Sequence, residues 1–104
     1  MLASVAHRAS GIALVLLVPL YIWLLHGMTG GQDNFDKAFD WMHSGIGKFY
    51  LLVAGTALAY HFFNGIRFLC LDAGWGENRD VMRLSAKIVL IAGAVTALLL
   101  LVLL

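Results

Sequence analysis

Charged residues divide this chain into long apolar runs. Ala9 to Thr29 holds no Asp, Glu, Lys or Arg, and the same is true of Phe49 to Ile66 and of Ile88 to Leu104. The three runs are 21, 18 and 17 residues long. A helix needs about 17–25 apolar residues to cross the hydrocarbon core of a bilayer. Each run therefore predicts a membrane-spanning helix, the third either continuing beyond Leu104 or being slightly short. Helix is the only open-chain choice there, because each backbone donor and acceptor must be satisfied without water. The competing reading is a buried helix of a soluble protein. Three such runs in 104 residues leave almost nothing to cover them. The expected organisation is one transmembrane domain over residues 1–104, all-α, with spans near 9–29, 49–66 and 88–104.

The segments between the runs carry their own signals. Pro19 interrupts the first run and predicts a local kink that packing can satisfy. Residues 30–48 read as a polar loop, yet Phe35, Phe39 and Met42 stand at helical spacing and predict a short interfacial helix within it. Ala73-Gly74-Trp75-Gly76 predicts a turn after the second span, and Asn78 or Asp80 is placed to cap the next helix.

Composition narrows the function classes. Hydrophobic residues make up 62% of the chain and charged residues 12%, about half the ~25% of a soluble domain. Such a chain is neither disordered nor easily soluble. A net charge of +1 and the lack of any basic run give no footing for nucleic acid. One cysteine, Cys70, excludes an intrachain disulfide and a cysteine-only metal cage, and reads as a small apolar side chain. The basic residues are unevenly placed. Arg8, Arg67, Arg79, Arg83 and Lys87 fall on one side of the three spans, and only Lys37 and Lys48 on the other. The positive-inside rule puts the N-terminus and the 67–87 loop in the cytoplasm or an organellar matrix. Tyr21, Trp23, Trp41 and Tyr50 would then form an aromatic belt at the opposite interface. The first run does not read as a cleaved signal peptide, since Trp23, Leu24, Leu25 and His26 stand where small residues would mark cleavage.

Several polar residues lie where lipid would not tolerate them idly. His61 sits inside the second run, six residues before Arg67, or about 9 Å along a helix. Ionisable groups at that depth are costly and generally functional. Spacing alone leaves His61 open to three uses: a hydrogen bond to a neighbouring helix, axial ligation of haem iron, or proton relay. Ser4, His7, Arg8 and Gly11 share one helical face at i, i+3, i+4, i+7. That face can hold an anionic propionate or polarise a quinone carbonyl, or simply be a basic helix end that sets topology. His61, Asn64, Gly65 and Phe68 share a second face, where Gly65 admits a planar group or another helix. His26 and His43 lie toward the other end of the spans. His26 is about 28 Å along a straight helix from His7, so these two read as interfacial histidines rather than partners of His61. His7 suits the edge of a cofactor better than its iron, so a second ligand would come from another chain. Asp72 is placed to pair with Arg67, with a partner chain, or with solvent. No nucleophile–base pair, phosphate-cradling loop or paired intramembrane carboxylates are present, which leaves hydrolysis and phosphoryl transfer without support.

At this point two motifs resemble a known family. Ser4-Val5-Ala6-His7-Arg8-Ala9-Ser10-Gly11 is similar to the S-x-x-H-R-x-S-G signature of the cytochrome b membrane-anchor subunit of succinate dehydrogenase. His61-Phe62-Phe63-Asn64-Gly65-Ile66-Arg67, followed by Asp72, resembles that family's H-x-x-x-G-x-R-H-x-x-x-D signature. Both motifs occur in order, and the resemblance covers nearly the whole chain. It implies the large anchor chain of a four-subunit succinate:quinone oxidoreductase (complex II). A flavoprotein oxidises succinate, an iron–sulfur subunit relays the electrons, and two small membrane chains hold haem b and quinone. By resemblance His61 matches the axial haem ligand, His7 and Arg8 match positions near the haem propionates, and Ser4 and Arg8 match the quinone site. The second axial histidine is expected from the other small anchor chain. Two departures stand out. Phe68 replaces the family's second histidine, and this sequence starts three residues before Ser4, where the family carries an N-terminal arm.

The resulting expectation is an electron-transfer subunit with no catalytic residues of its own. It would pass electrons to ubiquinone or menaquinone and pack against a second anchor chain, an iron–sulfur subunit and a flavoprotein. The expected location is a bacterial inner membrane, with the mitochondrial inner membrane as the weaker choice. The rivals are the anchor of a fumarate reductase, a haem-free structural anchor, and a small transporter or channel component.

Overall fold

A computed structural model of the chain describes residues 2–104. Four helices account for nearly all of it: α1 (Leu2–Thr29), α2 (Gln32–His43), α3 (Gly45–Asp72) and α4 (Arg79–Leu103). There is no strand among the described residues. Three of the helices, α1, α3 and α4, are long and apolar enough to cross a membrane. The first two charge-free runs lie inside their helices and the third passes the end of α4 by one residue, yet each helix is longer than its run. α1 starts seven residues before Ala9, α3 continues six residues past Ile66, and α4 starts nine residues before Ile88. The reason is physical. A charged side chain ends the stretch that lipid accepts, whereas the backbone ladder continues into the interface, where side chains such as Arg8 reach water. Pro19 sits within α1 without ending it.

The short helix expected between the first two spans is α2. Gly30 and Gly31 separate it from α1, and a single residue, Ser44, separates it from α3. Ser44 serves both ends: its hydroxyl donates to the Trp41 carbonyl and accepts from the Gly47 N–H. The turn at residues 73–78 joins α3 to α4 through Gly74 and Gly76, which adopt φ of 88° and 72°, a region that favours glycine. Asn78 then caps α4, its Oδ1 accepting from the Asp80 N–H at 2.9 Å.

α3 packs between α1 and α4 and runs antiparallel to both. Two clusters hold the bundle at its two ends. Near the N-terminus of α1, Ala3, Tyr60 and Val89 are buried together, with Ala6, Ala86 and Leu90 against them. At the α2 end, Leu24, Ala38, Tyr50 and Ala54 form the second cluster, flanked by Leu17, Leu20, Trp41, Met42 and Leu51. Small residues allow the close approaches. A Cβ at Gly93 would lie 3.1 Å from Tyr60 Cδ2, and one at Gly27 would lie 3.2 Å from Ala38 Cβ. Large apolar side chains such as Ile12, Val15, Leu16, Ile91, Leu98 and Val102 are exposed along the lengths of the helices. That pattern suits contact with lipid or with other helices.

Candidate functional site

The site is built where the first turns of α1 meet the second half of α3. Antiparallel packing brings Ala3, His7 and Ser10 opposite Tyr60 and His61. Tyr60 donates its hydroxyl to the Ala3 carbonyl at 2.7 Å in a buried contact, which sets the height of one helix against the other. Four residues further along α1, the rings of His7 and His61 stack with centroids 4.1 Å apart and planes 10° from parallel. Phe68 closes the arrangement with its edge toward the His7 ring, 4.9 Å between centroids. Gly11 makes room for His61, since a Cβ there would stand 3.1 Å from His61 Cε1.

Hydrogen bonds fix which nitrogen of His61 carries the proton. Ser10 donates its hydroxyl to the His7 carbonyl at 2.8 Å. A hydroxyl has one proton, so toward His61 Nδ1, 3.1 Å away, Ser10 Oγ acts as acceptor. His61 Nδ1 is also 3.3 Å from the His7 carbonyl oxygen, which can only accept. Both neighbours therefore require an Nδ1–H. Neutral imidazole then keeps its lone pair on Nε2, the form in which histidine binds a metal.

His61 is also one wall of an open cleft of about 730 Å³ on the flank of α1. His7, Arg8 and Gly11 line it, and Ile12, Leu14, Val15 and Leu16 extend it as an apolar wall. A largely apolar surface that also carries a guanidinium and an imidazole suits a flat, amphiphilic ligand bearing an anionic or carbonyl group. Of the residues picked from the sequence, His7, Arg8, Gly11 and His61 thus come together. Ser4 lies on the same helix one turn before Arg8, half-buried, and is not part of the cleft wall.

The remaining sequence expectations divide. Arg67 does not turn to Asp72, which is exposed. It reaches α4 instead, donating from Nε to Ser85 Oγ at 2.9 Å and from Nη2 to the Met82 carbonyl at 3.3 Å, and it also meets Asn64 Oδ1. Asn64 does not share the His61 cleft: it is completely buried, with its Nδ2 unpartnered among the described residues. His26 is exposed, and His43 lies over the Phe39 ring with Nδ1 2.8 Å from the Phe39 carbonyl. Two further residues matter here: Ser10, which the first motif contains but to which no role was given, and Tyr60, which was not singled out. Ser10 carries a signal both in its fixed position in that motif and in its i+3 spacing from His7. Tyr60 carries none beyond standing next to His61.

Three apolar helices with a histidine-based cleft at one end define a multi-pass helical membrane subunit. Comparison with known proteins gives the family. Residues 1–101 match the family described as the succinate dehydrogenase/fumarate reductase transmembrane subunit, and the chain belongs to it. Among its relatives is the succinate dehydrogenase cytochrome b556 subunit of Coxiella burnetii, 33% identical over 97 residues, covering 92% of this chain and 78% of that protein. The Paracoccus denitrificans protein of the same name is 35% identical over 95 residues, covering 90% and 72%. The Rickettsia typhi protein, again of that name, is 29% identical over 97 residues, covering 93% and 75%. The chain is accordingly a membrane-anchor subunit of the succinate dehydrogenase type, a component of an enzyme complex.

Proposed function

We propose that this chain binds haem b through His61 and forms part of a quinone site near Arg8, as the anchor that carries electrons from succinate to quinone. The single observation behind this reading is the state of His61: Nδ1 is engaged by Ser10 and the His7 carbonyl, and the free Nε2 belongs to a side chain that lines the cleft. The cleft fits such a group. Its apolar wall suits a porphyrin face, and the Arg8 guanidinium suits a propionate or a quinone oxygen. When bound, haem supplies a one-electron redox centre. The protein side of the chemistry is holding and polarising. His61 presents its lone pair, the His7 ring braces it by stacking, and Arg8 brings positive charge to the cleft. Arg8 together with Ser4, one turn away on the same helix, is the proposed quinone contact, taking ubiquinone or menaquinone. In this reading a second protein ligand to the haem would come from the other small anchor chain, because the stacked His7 and His61 rings are not placed to hold one metal between them.

The proposed assembly is one transmembrane domain with a second anchor chain, an iron–sulfur subunit and a flavoprotein, in a bacterial inner membrane. Its N-terminus and the 67–87 loop face the cytoplasm, on the strength of their five basic residues against two on the other side. The testing experiment is a reduced-minus-oxidised visible spectrum of the purified complex before and after His61→Ala. The expected outcome is a b-type spectrum in the native complex and its loss in the variant. An unchanged spectrum in the variant would remove His61 as ligand. A colourless native complex that still reduces quinone would favour the haem-free anchor.

A further inference from the structure

We propose that Ser10 is a positioning residue that holds His61 in its metal-binding tautomer and tunes how strongly Nε2 donates. This rests on the reading of His61 as haem ligand. Two hydrogen bonds of Ser10 have a defined direction. The Ser10 proton is committed to the His7 carbonyl at 2.8 Å, on its own helix. The lone pairs of Oγ are thereby turned toward His61 Nδ1, 3.1 Å away on α3. An isolated serine hydroxyl can rotate and donate to an imidazole nitrogen, which would stabilise the opposite tautomer and leave the proton on Nε2. The carbonyl anchor excludes that alternative.

The surroundings keep this arrangement intact. Ser10 is buried, and the groove beyond it is lined by Leu52, Val53, Thr56, Ala57, Tyr60 and Ala97. That largely apolar groove gives little hold to a water that might replace a lost hydroxyl. Gly11 admits the His61 ring close to α1, and the His7 ring lies flat against it, so the imidazole has little freedom to swing away from Ser10. With the hydroxyl gone, His61 Nδ1 retains only the longer 3.3 Å contact to the His7 carbonyl. A weaker bond at Nδ1–H lowers the basicity of Nε2. A less basic ligand stabilises ferric iron less, so the midpoint potential rises.

The experiment uses the intact purified complex and reads a redox titration of the haem with its low-temperature optical spectrum. Ser10→Ala is expected to raise the potential, changing the ferric-to-ferrous ratio at fixed ambient potential by up to about tenfold, or about 59 mV for one electron. Ser10→Thr, which keeps the hydroxyl, is expected to restore the native value. A potential and spectrum in Ser10→Ala identical to the native complex, with His61→Ala free of haem, would overturn the role of Ser10 while leaving His61 as ligand. Haem retained in His61→Ala would overturn the underlying assignment instead. If Ser10→Ala does not assemble, Ser10→Cys supplies the same reading, since a thiol is a weaker acceptor. A rise in potential with cysteine supports the proposal, and the native potential refutes it.

Discussion

The two ends of the bundle use different means to hold the same helices together. At the histidine end, α1 and α3 meet through named polar contacts: Tyr60 to the Ala3 carbonyl, and His61 to Ser10 and the His7 carbonyl. At the α2 end the contact is almost wholly shape. Leu24, Ala38, Tyr50 and Ala54 fill the centre, Trp23 and Trp41 pack edge to face at 5.6 Å, and Tyr21 meets Tyr50 in the same way at 5.6 Å. The difference follows from what each end must do. Dispersion and aromatic packing tolerate small adjustments, because many weak contacts share the load. A hydrogen-bonded histidine does not, since its geometry decides which nitrogen is free. The end proposed to hold the cofactor is therefore the end with directional bonds, and the other end packs the helix pair by shape.

That contrast can be broken at either end, and the largest effect is expected at the α2 end. Gly47 is buried at the start of α3, and a Cβ there would run into the backbone of Trp41 and Met42. Backbone cannot move aside as a flexible side chain can. Gly47→Ala should cost about 3 kcal/mol by overpacking. Thermal denaturation of the purified complex should show the loss, with an unchanged haem spectrum in whatever remains folded. A changed spectrum at low temperature would mean that the two ends are not separable.

A smaller effect, of opposite character, is expected at Arg8. Removing a charged hydrogen-bond donor costs about 1.5–3 kcal/mol where the bond is made. Arg8→Ala should therefore slow quinone reduction by about tenfold to a hundredfold, while succinate oxidation by a soluble artificial acceptor and the thermal midpoint stay near native. Equal losses in both assays would remove Arg8 from the quinone site. The smallest effect belongs to Tyr60. Tyr60→Phe deletes one neutral buried hydrogen bond and leaves the Ala3 carbonyl short of a partner, a cost of about 1 kcal/mol. It should also loosen the register of α1 against α3, and a broadened haem band would register this. A normal band with lowered stability would confine Tyr60 to a structural role.

Much of the architecture was legible because lipid solvent is so restrictive. Runs without charge marked the three long helices, the spacing of Phe35, Phe39 and Met42 marked α2, and Ala73 to Gly76 marked the turn. The helix ends were not legible from charge, for Arg8 and Arg67 lie well inside α1 and α3. Within the site, helical spacing gathered His7, Arg8 and Gly11 correctly on one face. It did not show that Ser4 falls outside the cleft wall or that Asn64 is buried away from it. For Asp72 the sequence left pairing with Arg67, with a partner chain or with solvent open, and the structure leaves it exposed. The rotation of α3 about its axis directs the Arg67 guanidinium to Ser85 and Met82 on α4, which spacing along the chain did not show.

The amino-acid sequence by itself determined the membrane solvent, the number of long helices, the family, and the two motifs that single out His7, Arg8 and His61. These depend on composition and on spacings of a few residues, which a helix converts directly into faces. The tertiary structure alone decided how those faces meet. The stacking of His7 on His61, the Ser10 hydroxyl at Nδ1 and the Tyr60 bond to Ala3 join residues more than 50 positions apart. Such contacts depend on the height and rotation of one helix against another, set by glycine gaps and by packing at both ends of the bundle. A rotation of one residue, about 100° in a helix, would have turned His61 away from Ser10 and left the same motifs without a common site.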